Sequence, residues 1–265
     1  MKDIIVKSNW GMKVNLQHEK QIYLFVDDLS GANTQVDGVK ILYLCEPNEI
    51  SGLAQKAILE SSKFDYVLTH ESTVLDRCKN AVLFEFGGCW IQGYEFPEKE
   101  FSVSTIVGFK KMAEGHLLRH NLWIRQDAIT TPKKFFISGN DPHHLRMPAF
   151  GENPVLEGEK TPLFDSMFHI VIENCKKDNW FTEKLIDTLQ TKTLPIYWGC
   201  PNIGNWFNTD GMIIVNNVDD LIEQVNKLTP ELYQEKLSFI ERNYEKSKEF
   251  INLSDRVADK LKEIL

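Results

Sequence analysis

Residues 168–201 read FHIVIENCKKDNWFTEKLIDTLQTKTLPIYWGCP. The apolar run at 169–172 suits a strand buried on both faces, and it stops abruptly at Glu173-Asn174. The spacing predicts a helix over 182–191, with Thr182 as its N-cap and Leu185 and Leu189 as an i, i+4 apolar stripe. A second apolar strand is expected at 194–198. Strand, helix and strand at this spacing make a parallel βαβ unit. A helix that opens directly after a strand turns amide groups and a positive dipole end toward the strand's carboxyl end, an arrangement suited to a diphosphate. Lys184 adds a full positive charge, Glu183 can accept hydrogen bonds from sugar hydroxyls, and Trp180 offers a flat face to a base or sugar. The plainer alternative makes Glu183 and Lys184 a solvated helix edge and Trp180 a core residue.

The same alternation extends in both directions. Upstream, strands are expected at 3–7, 21–26, 39–45, 66–69 and 81–86, with a helix at 50–61. Residues 94–100, YEFPEKE, are charged, contain Pro97 and break the pattern. Beyond them come strands at 103–108, 134–138 and 212–215 and a helix at 115–125. Residues 139–161 carry three prolines and three glycines and read as one long loop. From 219 onward the chain turns helical and then strongly charged to its end. The expected architecture is α/β with two Rossmann-like domains whose parallel sheets face a cleft. Its boundaries are 1–98, 99–245 and a helical tail at 246–265.

The balance of 30 Lys+Arg against 38 Asp+Glu gives a net charge of −8 over 265 residues. That excludes nucleic acid or an anionic membrane as the main partner, because both select a cationic excess, but it leaves room for a local phosphate site. No stretch approaches the roughly 18 apolar residues of a spanning helix, and the start, MKDIIVKSNWGMK, lacks a signal-peptide pattern. Cys45, Cys78, Cys89, Cys175 and Cys200 are odd in number and never form CxxC, which fits reduced thiols and a cytoplasmic location.

Two further constellations carry chemistry. Residues 103–125, VSTIVGFKKMAEGHLLRHNLWIR, place Lys110, Lys111, Arg119 and Arg125 in and after the first βα loop of the second half. Phosphate charge is neutralised at such a loop, and a guanidinium fork suits a pyrophosphate. Arg119 leads there, with Lys110 second. His116 and His120 stand at i, i+4 but lack HExxH and a third ligand, so a metal is not expected. In the first half, Glu46 follows the strand at 39–45 directly and Pro47 stops its continuation, which aims a carboxylate at the strand ends. Asp27-Asp28 is the competing acid pair. The chain has no GxxxxGK[ST], GxGxxG or GxSxG. Asp-x-Asp is also missing, which makes a metal-independent mechanism the default expectation.

Segment 168–201 resembles the alpha-1,3-fucosyltransferase family. The likeness rests on Ile172-Glu173-Asn174, on Trp180-Phe181-Thr182-Glu183-Lys184, and on Pro195-Ile196-Tyr197-Trp198-Gly199-Cys200-Pro201. It implies a two-domain glycosyltransferase of GT-B type with GDP-fucose on the C-terminal domain and a glycan acceptor approached from the N-terminal one. It further implies Asn174, Trp180, Glu183, Lys184, Arg119 and Lys110 as donor-binding residues, Glu46 and Glu183 as catalytic residues, inverting transfer, and no cofactor beyond the donor. Trp180 stands where that family usually has Tyr, and Ile172 where it has Phe. Two alternatives stay open: the same machinery with another nucleotide sugar, or a nucleotide-sugar or carbohydrate-binding protein without turnover.

Overall fold

The computed structural model describes residues 1–91, 93–139 and 153–265. It divides into two compact units. The first comprises Met1–Gly87, Lys177–Trp180 and Asn252–Leu265; the second comprises Gly88–Lys176 and Phe181–Ile251.

The first unit is built on five parallel strands in the order β1-β2-β3-β4-β5. They are β1 (Ile5–Ser8), β2 (Ile22–Val26), β3 (Val39–Leu44), β4 (Tyr66–Thr69) and β5 (Ala81–Leu83). Alternation along the strands feeds two cores. Leu24, Ile41 and Tyr43 enter one, while Phe25, Leu42 and Leu44 enter the other. Each strand pairs with the next in sequence, so right-handed crossovers keep returning to the same side of the sheet. Helix α2 (Ala54–Glu60) and α3 (Ser72–Arg77) supply Ala54, Ala57 and Val74 to that side. The opposite face needs another cover, since a parallel sheet is buried on both faces. Met12, Val14 and Leu16 form part of it, with Val257, Ala258 and Leu261 of the C-terminal helix Leu253–Ile264. Arg256 holds that helix in place by donating to Glu85 at 2.8 Å and to the Phe86 carbonyl at 2.6 Å. The expected separate tail is therefore divided, and its last helix belongs to the first unit's core. The helix expected at 50–61 is also divided, because Gly52 turns left-handed at φ 66° and ends a short helix, α1 (Asn48–Ser51), before α2 begins.

The second unit carries six parallel strands, numbered on from the first. They are β6 (Glu100–Val107), β7 (Lys133–Ser138), β8 (Val155–Leu156), β9 (Ser166–Ile172), β10 (Leu194–Trp198) and β11 (Ile213–Ile214). Their spatial order is β8-β7-β6-β9-β10-β11. Glu100 opens β6, so the start expected at 103 moves earlier and the expected joint at 98/99 falls inside this unit. Helices α4 (Glu114–Ile124), α5 (Glu183–Gln190), α6 (Val218–Val225) and α7 (Pro230–Ser247) cover the sheet. Phe168, Ile170, Ile172, Ile196 and Trp198 bury one face against α6 and α7. Val171 and Tyr197 turn to the other, against Leu185, Ile186 and Leu189 of α5. The segment expected as one loop, 139–161, lies outside the described residues from 140 to 152; its far end supplies β8 as an edge strand.

The chain after β6 winds outward through β7 to β8, and the chain after β9 winds the other way through β10 to β11. Strand order thus reverses between the neighbours β6 and β9. In open parallel sheets, a crevice for ligands opens outside the carboxyl ends at such a reversal.

Candidate functional site

The reversal brings two expected segments together in the second unit. After β6 comes the loop with exposed Lys110, then α4 with Arg119. After β9 come Glu173, Asn174 and, beyond the loop, the start of α5. Arg119 donates to the Asn174 side-chain oxygen at 2.5 Å, and the Gly115 amide donates to the Asn174 carbonyl at 2.9 Å. Gly115 is required by this approach, because a Cβ there would collide with the Glu173 carbonyl oxygen. Burial lowers Arg119 to about 10, against the pull of Glu173 and Glu183, so the guanidinium stays charged near neutrality.

Glu173 is the residue the sequence reading passed over. Its side chain is fully buried. It accepts from the Thr182 amide at 2.8 Å and from the Thr182 hydroxyl at 2.7 Å. Lys184 Nζ lies 3.8 Å away. Burial raises the Glu173 carboxyl above its ordinary value, with Lys184 opposing. Glu173 thus locks the start of α5 onto the end of β9. The only signal in the sequence was a carboxylate closing an apolar strand, and such a residue is usually paired.

This lock takes up most of the amides expected to be open at the start of α5. The Thr182 amide is taken by Glu173, the Lys184 amide by the Thr182 hydroxyl and the Leu185 amide by the Thr182 carbonyl. Charge at this terminus therefore comes from side chains. Lys184 Nζ donates to Thr182 Oγ1 and Glu183 Oε1, both at 3.1 Å. Lys160 Nζ is 3.8 Å from Glu183 and 3.6 Å from Asp187. Burial raises Glu183, but Lys184 and Lys160 outweigh it and hold the carboxylate below its ordinary value. Lys184 is raised: burial opposes, and Glu183 and Glu173 prevail. The expected cations share one field. Burial lowers His116 to about 4, and Arg119, Lys110 and Lys184 add to the effect. The i, i+4 histidines are used locally, His116 Nδ1 accepting the Ala113 amide at 3.1 Å and His120 Nε2 donating to the Gly108 carbonyl at 3.1 Å.

The first unit holds Glu46 and Trp180. Asp27, with φ 48°, turns its carboxylate toward the end of β3 and accepts the Cys45 amide at 3.0 Å and the Glu46 amide at 3.2 Å. Asp28 caps the following 3-10 turn through Ser30 at 2.8 Å. The competing acid pair thereby shapes backbone, and Glu46 stands half-buried just after β3. Trp180 differs from expectation. It is 2% exposed, donates Nε1–H to the Cys45 carbonyl at 3.1 Å and lies against the buried His70 ring, so it has no free face for a donor. The plainer reading holds for it, because an indole needs one acceptor and Cys45 provides it within the core. Its neighbours are fixed in the same unit, Lys177 pairing with Glu49 at 2.7 Å and Glu71 at 3.4 Å. Burial lowers His70 to about 3, Lys177 adding to the effect, so the ring is neutral.

No family model matches the chain. It is 34% identical over 64 residues to the alpha-(1,3)-fucosyltransferase FucT of Helicobacter pylori, a stretch spanning 23% of this chain and only 13% of that protein. Among solved structures, an alpha-1,3-fucosyltransferase with GDP matches 86% of this chain and 76% of its own, with TM-score 0.52 and 14% identity. The UDP-forming alpha,alpha-trehalose-phosphate synthase of Burkholderia xenovorans matches 93% and 74%, with TM-score 0.57 and 9% identity. The fold is of the GT-B glycosyltransferase type. Among the described residues, no helix is long and apolar enough to cross a membrane, and all five cysteines are free thiols.

Proposed function

We propose that the protein is a glycosyltransferase that moves fucose from GDP-fucose to a hydroxyl of a glycan acceptor. The observation that carries this reading is the single cluster at the β6/β9 reversal, in which Arg119, Asn174, Glu183 and Lys184 are joined through Glu173 and Thr182. The GDP-bound fucosyltransferase of similar fold and the local likeness to the H. pylori enzyme support GDP-fucose as the donor.

In this reading the diphosphate lies beside Arg119 and Lys184, with Lys110 reaching it from the β6 loop. Glu183, held ionised, accepts hydrogen bonds from donor hydroxyls. Glu46 takes the proton from the acceptor hydroxyl as its oxygen bonds to the anomeric carbon. The bond from that carbon to the diphosphate oxygen breaks, and GDP leaves with the electron pair under the charge of Arg119 and Lys184. One displacement inverts the anomeric centre, from a β-linked donor to an α product.

Calorimetric titration with GDP, UDP and their sugar conjugates tests the donor. GDP-fucose should bind most tightly, UDP-sugar preference would reassign the donor, and no saturable binding of any would refute the transferase reading. Glu46→Ala should abolish turnover while leaving GDP affinity unchanged; retained turnover removes Glu46 from the chemistry. Proton NMR of the first product formed reads its anomeric configuration directly, and a β product would refute inversion.

A further inference from the structure

Trp90 is the exposed large aromatic next to this cluster, at 66% relative exposure, yet its backbone is firmly held. Its amide donates to Oδ1 of the buried Asp187 at 2.7 Å. The Cys89 amide donates to the Ile251 carbonyl at 3.2 Å, and the Cys89 thiol to the Ile91 carbonyl at 3.3 Å. Lys160 Nζ sits 4.2 Å from the indole centroid while bridging Asp187 and Glu183. Burying a carboxylate costs free energy unless it is well paired, and here one oxygen of Asp187 is committed to fixing an indole that stays in solvent. A Trp so placed contributes little to a core, but it loses little entropy when a ligand packs on it.

We propose that Trp90 is a stacking platform for a pyranose ring, with Glu183 and Lys160 as the hydrogen-bonding groups at its edge. A pyranose has a C–H face that packs on an indole and a rim of hydroxyls that seek charged acceptors and donors, and this patch offers both within the span of one lysine side chain. A nucleobase would use the indole but leave the carboxylate without a hydroxyl partner. The inference deepens the transferase reading and rests on it. It adds a sugar subsite on the α5 side of the second unit, and the ring can belong to the donor or to the acceptor.

Saturation-transfer NMR with the methyl glycosides of L-fucose, D-galactose and N-acetyl-D-glucosamine, together with calorimetry of GDP and GDP-fucose, tests it on the full chain. Trp90→Ala should cut pyranose binding at least tenfold and leave GDP affinity within twofold of wild type, while Trp90→Phe should restore most of the loss. Loss of the preference for GDP-fucose over GDP assigns the ring to the donor. Loss of the galactoside or glucosaminide signal with that preference intact assigns it to the acceptor. Pyranose binding by Trp90→Ala equal to wild type, or no pyranose binding by wild type, overturns the platform. GDP binding that survives either result leaves the nucleotide reading standing, so the two can fail separately.

Discussion

Replacing Asp187 with Asn should make the protein more stable at neutral pH and leave its stability nearly unchanged near pH 4. Asp187 is 1% exposed on α5. Burial raises its carboxyl from 3.8 to about 6, with Lys160 and the Trp90 amide opposing. The folded state therefore holds the proton more tightly than the unfolded chain does. Stability falls as pH rises from about 4 to about 6, and the full loss is present above that window. A shift of roughly two units corresponds to about 3 kcal/mol. Asn cannot ionise, and its oxygen can still accept the Trp90 amide. That net shift already contains the opposing attraction of Lys160, which lies 3.6 Å away. The expected gain at pH 7.5 is about 3 kcal/mol, or roughly 6–12 °C in the melting temperature of the second unit. Thermal melts of both proteins from pH 4 to 7.5 measure it. An Asn variant no more stable than wild type at pH 7.5, or equally stabilised at pH 4, would refute the argument from burial.

Gly115→Ala should remove soluble folded protein or abolish GDP affinity, because the new Cβ meets the Glu173 carbonyl where α4 abuts the end of β9; a folded variant with native GDP binding would contradict that close packing. Glu173→Ala should destabilise the second unit by about 1–3 kcal/mol in urea titration, since the buried Thr182 amide and hydroxyl lose their acceptor, whereas a change below about 0.5 kcal/mol would mean the lock is dispensable. Trp180→Phe should cost about 1–3 kcal/mol by orphaning the Cys45 carbonyl while leaving GDP affinity unchanged. A tenfold fall in GDP affinity would instead return Trp180 to the donor site.

The elements themselves were legible because local chemistry writes them. Leu194–Trp198 forms as expected, and Thr182 caps α5 as its hydroxyl and position require. The candidate site was legible in part. Arg119, Asn174, Glu183 and Lys184 stand where chain position after a strand predicted, since the residues that follow a parallel strand emerge at its carboxyl end. Glu173 and Gly115 were missed because their role depends on a neighbour outside their own segment. Trp180 was misread for the related reason that a tryptophan beside polar loop residues looks the same in sequence whether its acceptor is a ligand or the carbonyl of Cys45, 135 positions away.

What the sequence alone determined is the alternation of apolar strands with amphipathic helices, and hence parallel α/β architecture; hydrophobic period and helix caps are properties of neighbouring residues. Only the tertiary structure decided strand order. Order is set by which side of an existing sheet each new strand adds to, and hydrophobic periodicity is the same for either side. One-way winding in the first unit left a bare sheet face that the C-terminal helix covers, so a charged tail became core. Reversal between β6 and β9 in the second unit brought together two loops some sixty residues apart, and with them the charged cluster on which the functional reading rests.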